Sequence, residues 1–358
     1  MKWKSPERLV KRIATSGIAR VMGQSARAER PDWSERPYRV LFLRHDRIGD
    51  MILSTGILRA FAESHPTIQL DVLASPVNAP VVRHEPYLRD VVVFDRRVPL
   101  SFPRAFADLR RRRYDAVIDC MVRAPSLTTL LLMLATAARY RIGVQKRAND
   151  FAYTLPVTAR KTSGHLVDRL GALVTAFGLD PAALDLRPRV RLTPDEIARG
   201  EWVWRDGTEH APREGKRLLV NISAGRESRY WPHDRFVALI RAARVKAPDA
   251  NIVVISSPSD RGHAVRIATK GGGRFFADSG IRDAMSIVAR ADVVFTPDTS
   301  IAHACSAFDR PAVVLHPRGS PALWGPYKTQ GVSIESPTAA VADIMAIEAI
   351  PPLLDRLS

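Results

Sequence analysis

Short apolar runs recur along this chain, each followed by a stretch of helical periodicity, and the series runs twice. The first set is RVLFLR (39–44), IQLDVLA (68–74), VVVFD (91–95), DAVIDCM (115–121) and YRIGV (140–144). The second is RLLVNIS (217–223), NIVVISS (251–257), RFFAD (274–278), DVVFT (292–296) and PAVVLH (311–316). Continuous apolar runs, as opposed to alternating ones, mark strands buried on both faces. Helical patterns at 50–64, 103–113, 126–138, 234–246, 261–269 and 281–290 separate them, which predicts βαβ units and parallel sheets. Between 180 and 215 the regularity lapses into segments rich in Pro, Gly and charge, read as the interdomain stretch. The expected organisation is a basic helix and linker at 1–36, domains at 37–190 and 191–337, and a helical tail at 338–358 placed back on the first domain.

A chain of 358 residues exceeds one ordinary core, in keeping with two domains. Cys120 and Cys305 sit in apolar neighbourhoods and read as small core residues in a reducing compartment, since two cysteines build no disulfide framework. The net charge of +17 favours acidic partners without choosing among nucleic acid, anionic lipid and phosphorylated substrates. No aromatic-interleaved basic groove or nucleic-acid motif accompanies it, so nucleic acid ranks last. The longest apolar stretch, LLLMLATAA at 130–138, falls short of the ~20 residues that span a bilayer. The N-terminus lacks the pattern of a secretory signal. Leu9, Val10, Ile13, Ala14, Ile18, Val21 and Met22 recur at helical spacing among lysines and arginines. Two readings of residues 1–24 stand open: a helix lying on an anionic membrane, or one packing on its own protein or a partner.

In open parallel sheets ligands bind beyond the carboxyl ends of strands, so the loops there hold the candidates. HDRIGD (45–50) leaves the first strand and opens a helix, where backbone N–H groups favour an anion. Gly49 permits close approach of a ligand or an unusual backbone angle. Asp50 at the helix start reads as a cap by local pattern, and as a general base by function. In DVVFTPDTSIAHA, Asp298, Thr299 and Ser300 open a short helix that would cradle phosphate oxygens. There Asp298 either caps the helix or accepts from a sugar hydroxyl. His303 either donates to phosphate or sugar, or is a satisfied core residue. In SAGRESRYWPHDRF, which begins at Ser223, the loop carries Gly225, Arg226 and Arg229. These guanidiniums are either solvated or placed to neutralise a diphosphate leaving group without metal. The Gly/Pro loop HPRGSPALWGPYK brings Ser320 and Trp324 after the last strand. D-x-D, dinucleotide and P-loop fingerprints, nucleophile elbows and Cys/His metal spacings are all missing, and Gly271-Gly272-Gly273 reads as a turn.

RVLFLRHDRIGDMILSTGILRAF, the loop with RYWPHDRF, and ADVVFTPDTSIAHACSAFDRPAVVLH followed by WGPY together resemble glycosyltransferase family 9, the heptosyltransferases of lipopolysaccharide assembly. The likeness runs from about residue 38 to about 330. It implies a GT-B fold, two Rossmann-like domains facing a cleft, with the acceptor in the N-terminal half and the donor in the C-terminal half. It implies inverting transfer of a heptose from an ADP-heptose donor to a lipid-linked saccharide, with no metal or other cofactor, at the cytoplasmic face of the inner membrane; transfer from another nucleotide sugar, or a catalytically silent sugar-nucleotide or glycan binder on the same fold, are the alternatives. By that resemblance Asp50 is the general base and Arg229 stands where the family often has a lysine for the leaving phosphate. Ser223, Gly225, Asp298, Thr299, Ser300, His303 and Ser320 fall on the donor side; Asp46, Arg47 and Gly49 fall on the acceptor side. Two departures touch specificity: Ser300 replaces a common Gly, and Asp46-Arg47 replaces a common small-hydroxyl pair.

Overall fold

The computed structural model describes residues 17, 18, 20, 22, 23, 27–98, 100–120, 126–145, 150–159, 164–205, 214–277 and 280–357. They form two compact units. One runs to Arg47 and resumes at Gly56–Leu186; the other takes Ile48–Thr55 and Arg187–Ser358.

The first unit holds a parallel sheet of β1 (Arg39–Arg44), β2 (Gln69–Ala74), β3 (Asp90–Val93), β4 (Ala116–Asp119), β5 (Tyr140–Val144) and β6 (Leu155–Val157). Their order across the sheet is β3-β2-β1-β4-β5-β6. Central β1 is buried from Val40 onward, as a strand covered on both faces must be. Helices α1 (Ile48–Ser64), α2 (Ala79–Val82), α3 (Ser101–Arg111), α4 (Leu127–Thr136) and α5 (Leu166–Gly171) connect or cover the strands. Helix α4 starts where the Ser126 hydroxyl accepts from the Thr129 amide at 3.1 Å. It stops at Ala137, whose φ of 49° is left-handed.

The second unit repeats the plan. Strands β7 (Arg217–Asn221), β8 (Asn251–Ile255), β9 (Arg274–Phe275), β10 (Val293–Pro297), β11 (Ala312–His316) and β12 (Gly331–Glu335) lie in the order β12-β11-β10-β7-β8-β9, again all parallel. Its helices are α6 (Pro194–Arg205), α7 (His233–Lys246), α8 (Arg261–Gly271), α9 (Ile281–Val288), α10 (Ser300–Phe308), α11 (Pro321–Trp324) and α12 (Ala346–Leu357). In each sheet the first strand of the unit lies beside its fourth, so the chain reverses its direction of travel there. That reversal opens a crevice at the carboxyl ends of β1 and β4, and of β7 and β10. The expected α/β class with two Rossmann-like sheets is what forms.

Several expectations need correction. The stretch at 180–215 is not irregular throughout, because α6 occupies its middle. That helix is largely polar, and only Gly200, Val203 and Trp204 are buried. Its Gly200 lets it press on α9, where a Cβ would lie 2.3 Å from the Ser286 carbonyl oxygen. The tail packs on the second unit's own core instead of returning to the first: Val341, Ile344, Ala349, Leu353 and Leu357 join Phe236, Leu239 and Ile240. An amphipathic helix next to a sheet with an open helical layer buries its apolar face there. Edge strands β6 and β12 escape a search for apolar runs, one being short with a Pro and the other mostly exposed or half-buried. The segment ahead of β1 is docked: Trp33 is 3% exposed, stacks on Phe177 at 4.4 Å and donates to the Ala176 carbonyl at 2.9 Å. Of the N-terminal apolar series, Met22 is buried in the first core and Ile18 packs against it. Most of that series, and so the helix expected at 1–24, lies outside the described residues. Both cysteines are buried and in no disulfide, and Gly272 (φ 79°) ends α8 as the turn reading has it.

Candidate active site

The crevice of the second unit is pinned by a residue that the sequence reading passed over. Asn221, last in β7 and 4% exposed, donates to the Thr296 hydroxyl at 2.9 Å and to the Thr299 hydroxyl at 3.3 Å. One carboxamide thus ties the exit of β7 to the exit of β10. A buried carboxamide ending an apolar strand is the available signal, since such groups need partners. Thr299 has extended backbone (φ −139°, ψ −178°) and its hydroxyl accepts from the Ile301 amide at 3.2 Å. It is therefore Thr299, not Asp298, that caps α10. Thr299 and Ser300 are half-buried at the positive end of that helix dipole.

Asp298 has another task. It is 1% exposed, and its Oδ2 accepts from the Ser320 hydroxyl at 3.0 Å and faces Arg229 Nη2 at 3.3 Å. Arg229 Nη1 also donates to the Asp298 carbonyl at 2.9 Å, and His316 Nδ1 lies 3.8 Å from Oδ2. Burial alone would raise this carboxyl's pKa, but His316, Arg229 and His303 outweigh it and hold the pKa below the ordinary carboxylate range. Three separate loops, those carrying Arg229, Asp298 and Ser320, therefore converge on one carboxylate. The capping role open for Asp298 falls to Thr299, and the Asp298 carboxylate is turned to a guanidinium. It anchors Arg229.

Ser223 is also committed. Its hydroxyl donates to Asp260 Oδ2 at 2.5 Å and accepts from the Ser257 amide at 2.7 Å, while the Tyr230 hydroxyl reaches the same carboxylate at 3.0 Å. Burial pushes the Asp260 pKa up, and the bonds from Ser223, Ser257 and Tyr230 bring it down further. Asp260, immediately ahead of α8, was not singled out, although it too follows a strand's carboxyl end in SSPSD. Gly225 is exposed, and a Cβ there would meet nothing within 4 Å, so its own surroundings impose no need for glycine.

Helix α1 begins at Ile48, and its first turn belongs to the second unit. A Cβ on Gly49 would lie 2.5 Å from Cδ2 and 3.2 Å from Nε2 of His303. What crowds this glycine is an imidazole on α10, a partner that neither reading of HDRIGD named. The His303 ring is 5% exposed, with its centroid 6.0 Å from that of Trp324. Asp50 follows directly, partly exposed in the first turn, where a negative charge suits the helix dipole. Gly49, Asp50, His303 and Thr299 thus sit on the opening turns of two helices in direct contact.

Asp46 and Arg47 belong to the first unit's crevice. Asp46 Oδ2 takes Arg44 Nη1 at 3.1 Å, and the other arm of that buried guanidinium donates to the Cys120 carbonyl at 3.1 Å. Asn78 Nδ2 holds the loop through the Arg44 carbonyl at 2.9 Å. His45 Nε2 lies 3.3 Å from the Thr129 hydroxyl, and burial lowers its pKa. Arg47 is exposed. Among the described residues, no cluster of three or more His, Cys, Asp or Glu could hold a metal ion, and no helix is long and apolar enough to cross a membrane.

A model of the family described as glycosyltransferase family 9 (heptosyltransferase) matches residues 103–348. Lipopolysaccharide heptosyltransferase 2 of Salmonella typhimurium is 23% identical over 308 residues, which cover 79% of this chain and 84% of that protein. Lipopolysaccharide core heptosyltransferase OpsX of Haemophilus influenzae is 18% identical, covering 83% and 84%. A family 9 glycosyl transferase from Veillonella parvula superposes with a TM-score of 0.77 at 15% identity, covering 91% of this chain and 99% of that one. ADP-heptose lps heptosyltransferase II of E. coli gives 0.70 at 19% identity, covering 89% and 98%. At such identities the solved structures speak to the fold alone, and the fold they share with this chain is GT-B.

Proposed function

Because this chain belongs to glycosyltransferase family 9, we propose that it moves a heptose from an ADP-heptose donor to a lipid-linked saccharide of the lipopolysaccharide core. Transfer inverts the anomeric centre, needs no metal and takes place at the cytoplasmic face of the inner membrane. The names of the relatives, lipopolysaccharide heptosyltransferases, support the choice of sugar and acceptor. The observation that carries the mechanism is the convergence of Arg229 and Ser320 on Asp298 beside the N-terminus of α10.

A diphosphate seated there meets the positive end of α10, the Thr299 and Ser300 hydroxyls and a guanidinium already aimed by a buried carboxylate. Asp50 takes the proton of the acceptor hydroxyl as its oxygen attacks the anomeric carbon opposite the diphosphate. The carbon–oxygen bond to the donor breaks, and its electron pair leaves with the diphosphate. Arg229, the start of α10 and His303 offset that charge in a site already built to receive it. Ser223 and Gly225 line the donor side through the loop that Asp260 braces, while Asp46, Arg47 and Gly49 serve the acceptor side.

The side chain of Ser300 on the first residue of α10 favours one second reading, the same transfer with a different nucleotide sugar. The test is ADP release from ADP-heptose with a crude lipid-saccharide acceptor and EDTA, for wild type and Asp50→Ala of verified fold. Acceptor-dependent release in EDTA, lost in the variant, is the expected result. Release that survives Asp50→Ala removes the base assignment, and loss of wild-type activity in EDTA removes metal independence. If ADP-heptose raises neither release nor thermal stability, the donor is another sugar nucleotide.

A further inference from the structure

Large apolar side chains left exposed on the first unit are not scattered. Among the described residues they are Val77, Val93, Val98 and Leu100, with exposures from 47% to 63%. Val77 follows β2, Val93 ends β3, and Val98 and Leu100 stand in the turn between β3 and α3. Since β2 and β3 pair in parallel with Ala74 opposite Val93, all four lie at the carboxyl edge of one corner of the sheet. The turn is firmly built: the Val98 amide donates to the Asp95 carbonyl at 3.1 Å, and the Ser101 amide to the Val98 carbonyl at 2.9 Å. Exposed Arg96, Arg97 and Arg104 flank it, and Asp95 is occupied by Arg97 at 2.9 Å. On its inner side α3 sends Phe102 and Phe106 to the core cluster that also receives Ile18 and Met22.

The candidate acceptor loop lies on this same edge. The order β3-β2-β1 puts the exit of β1, with His45 to Arg47, about 10 Å across the sheet from the exit of β3. Exposed apolar side chains interleaved with exposed arginines match what a bilayer surface offers, acyl chains and phosphates. The cations fix the sign of the partner.

We propose that this corner docks the protein on an anionic bilayer, Val93, Val98 and Leu100 entering the headgroup boundary while Arg96, Arg97 and Arg104 meet lipid phosphates. This rests on the reading of a lipid-linked acceptor, which such docking delivers to the loop at 45–47.

The experiment is co-sedimentation of the full chain with phosphatidylcholine vesicles, with and without phosphatidylglycerol. Wild type should bind only the anionic vesicles. Both Val98→Ser/Leu100→Ser and Arg96→Gln/Arg97→Gln should weaken binding about tenfold or more, the arginine pair losing the attraction to the charged surface. Val245→Ser/Ile347→Ser, which changes exposed apolar residues of the second unit, should leave binding intact. Sugar transfer to a delipidated, water-soluble acceptor should be unchanged in the corner variants. Equal binding by corner variants and wild type overturns the proposal, and so does an equal loss in the second-unit control. Removal of residues 1–16 abolishing all binding while the corner variants retain it overturns it as well. If no saccharide acceptor supports transfer yet binding still depends on the corner, the docking surface stands and the acceptor reading fails.

Discussion

Replacing Gly49 by alanine puts a methyl carbon 2.5 Å from Cδ2 of His303. Carbon pairs rest at about 3.5–4.0 Å, so the overlap is on the order of 1 Å and something must move. The ring is 5% exposed and sits by Trp324, which leaves it little room to swing aside. Overpacking of this kind costs about 1–3 kcal/mol. Alanine regains up to about 1 kcal/mol over glycine in a helix, less in a first turn. The net loss is thus about 0–3 kcal/mol, too broad a range to decide by one variant. A double-mutant cycle isolates the clash: with His303→Ala the methyl has space, and Gly49→Ala should become neutral or stabilising. The coupling should be about 1–3 kcal/mol by denaturant unfolding. Coupling within error of zero would refute the contact and, with it, the link between the two helix starts. In the transfer assay Gly49→Ala should also lower kcat, because it displaces Asp50 and His303 together.

Arg229→Ala should lower kcat by about 10²–10³, the usual loss when one stabiliser of developing charge is removed, and Arg229→Lys by less, in steady-state ADP release. Asp298→Asn frees that guanidinium and should cost about 2 kcal/mol in calorimetry, below the figure for a fully buried pair since Arg229 retains 20% exposure. The pH dependence has a definite sign. A carboxyl whose folded pKa lies below its unfolded value stabilises fully above the unfolded value, about 3.9, and loses this as pH falls through the folded one. The stability gap between wild type and Asp298→Asn should therefore be flat above about pH 5 and shrink below about pH 4 in acid titrations. Asn221→Ala should cost about 1–3 kcal/mol, by the same calorimetry, for the polar groups it orphans, and should raise KM for the donor as α10 loses its tie to β7.

How far the sequence alone could be read depended on the range of the interaction. Strands such as RVLFLR and AVVLH announce themselves because burial on both faces leaves a local apolar record. Helix α6 does not, since its contact with α9 needs only one glycine and two large side chains amid charge. The same division runs through the site. Arg229, Thr299 and Ser300 can be named as candidates because loops at strand ends are where ligands bind. The anchoring of Arg229 by Asp298, the bracing of Ser223 by Asp260 and the bridge from Asn221 cannot, because each joins side chains remote in sequence. Gly49 shows the limit plainly: a glycine is visible in HDRIGD, but the imidazole that leaves no room for a Cβ comes from another helix.

Trp33 bears on how the first unit can be divided. Its ring lies 4.9 Å from that of Tyr38, 5.4 Å from Tyr140 and 4.4 Å from Phe177, and Arg27 and Ala28 just ahead bond to the backbone of Tyr153 and Thr154. A recombinant first domain started at residue 37, where the regular fold begins by sequence, would excise an aromatic from its own interior. It would keep every strand and yet leave an indole-sized hollow among three rings, an invitation to aggregate. A start before Arg27 retains that plug.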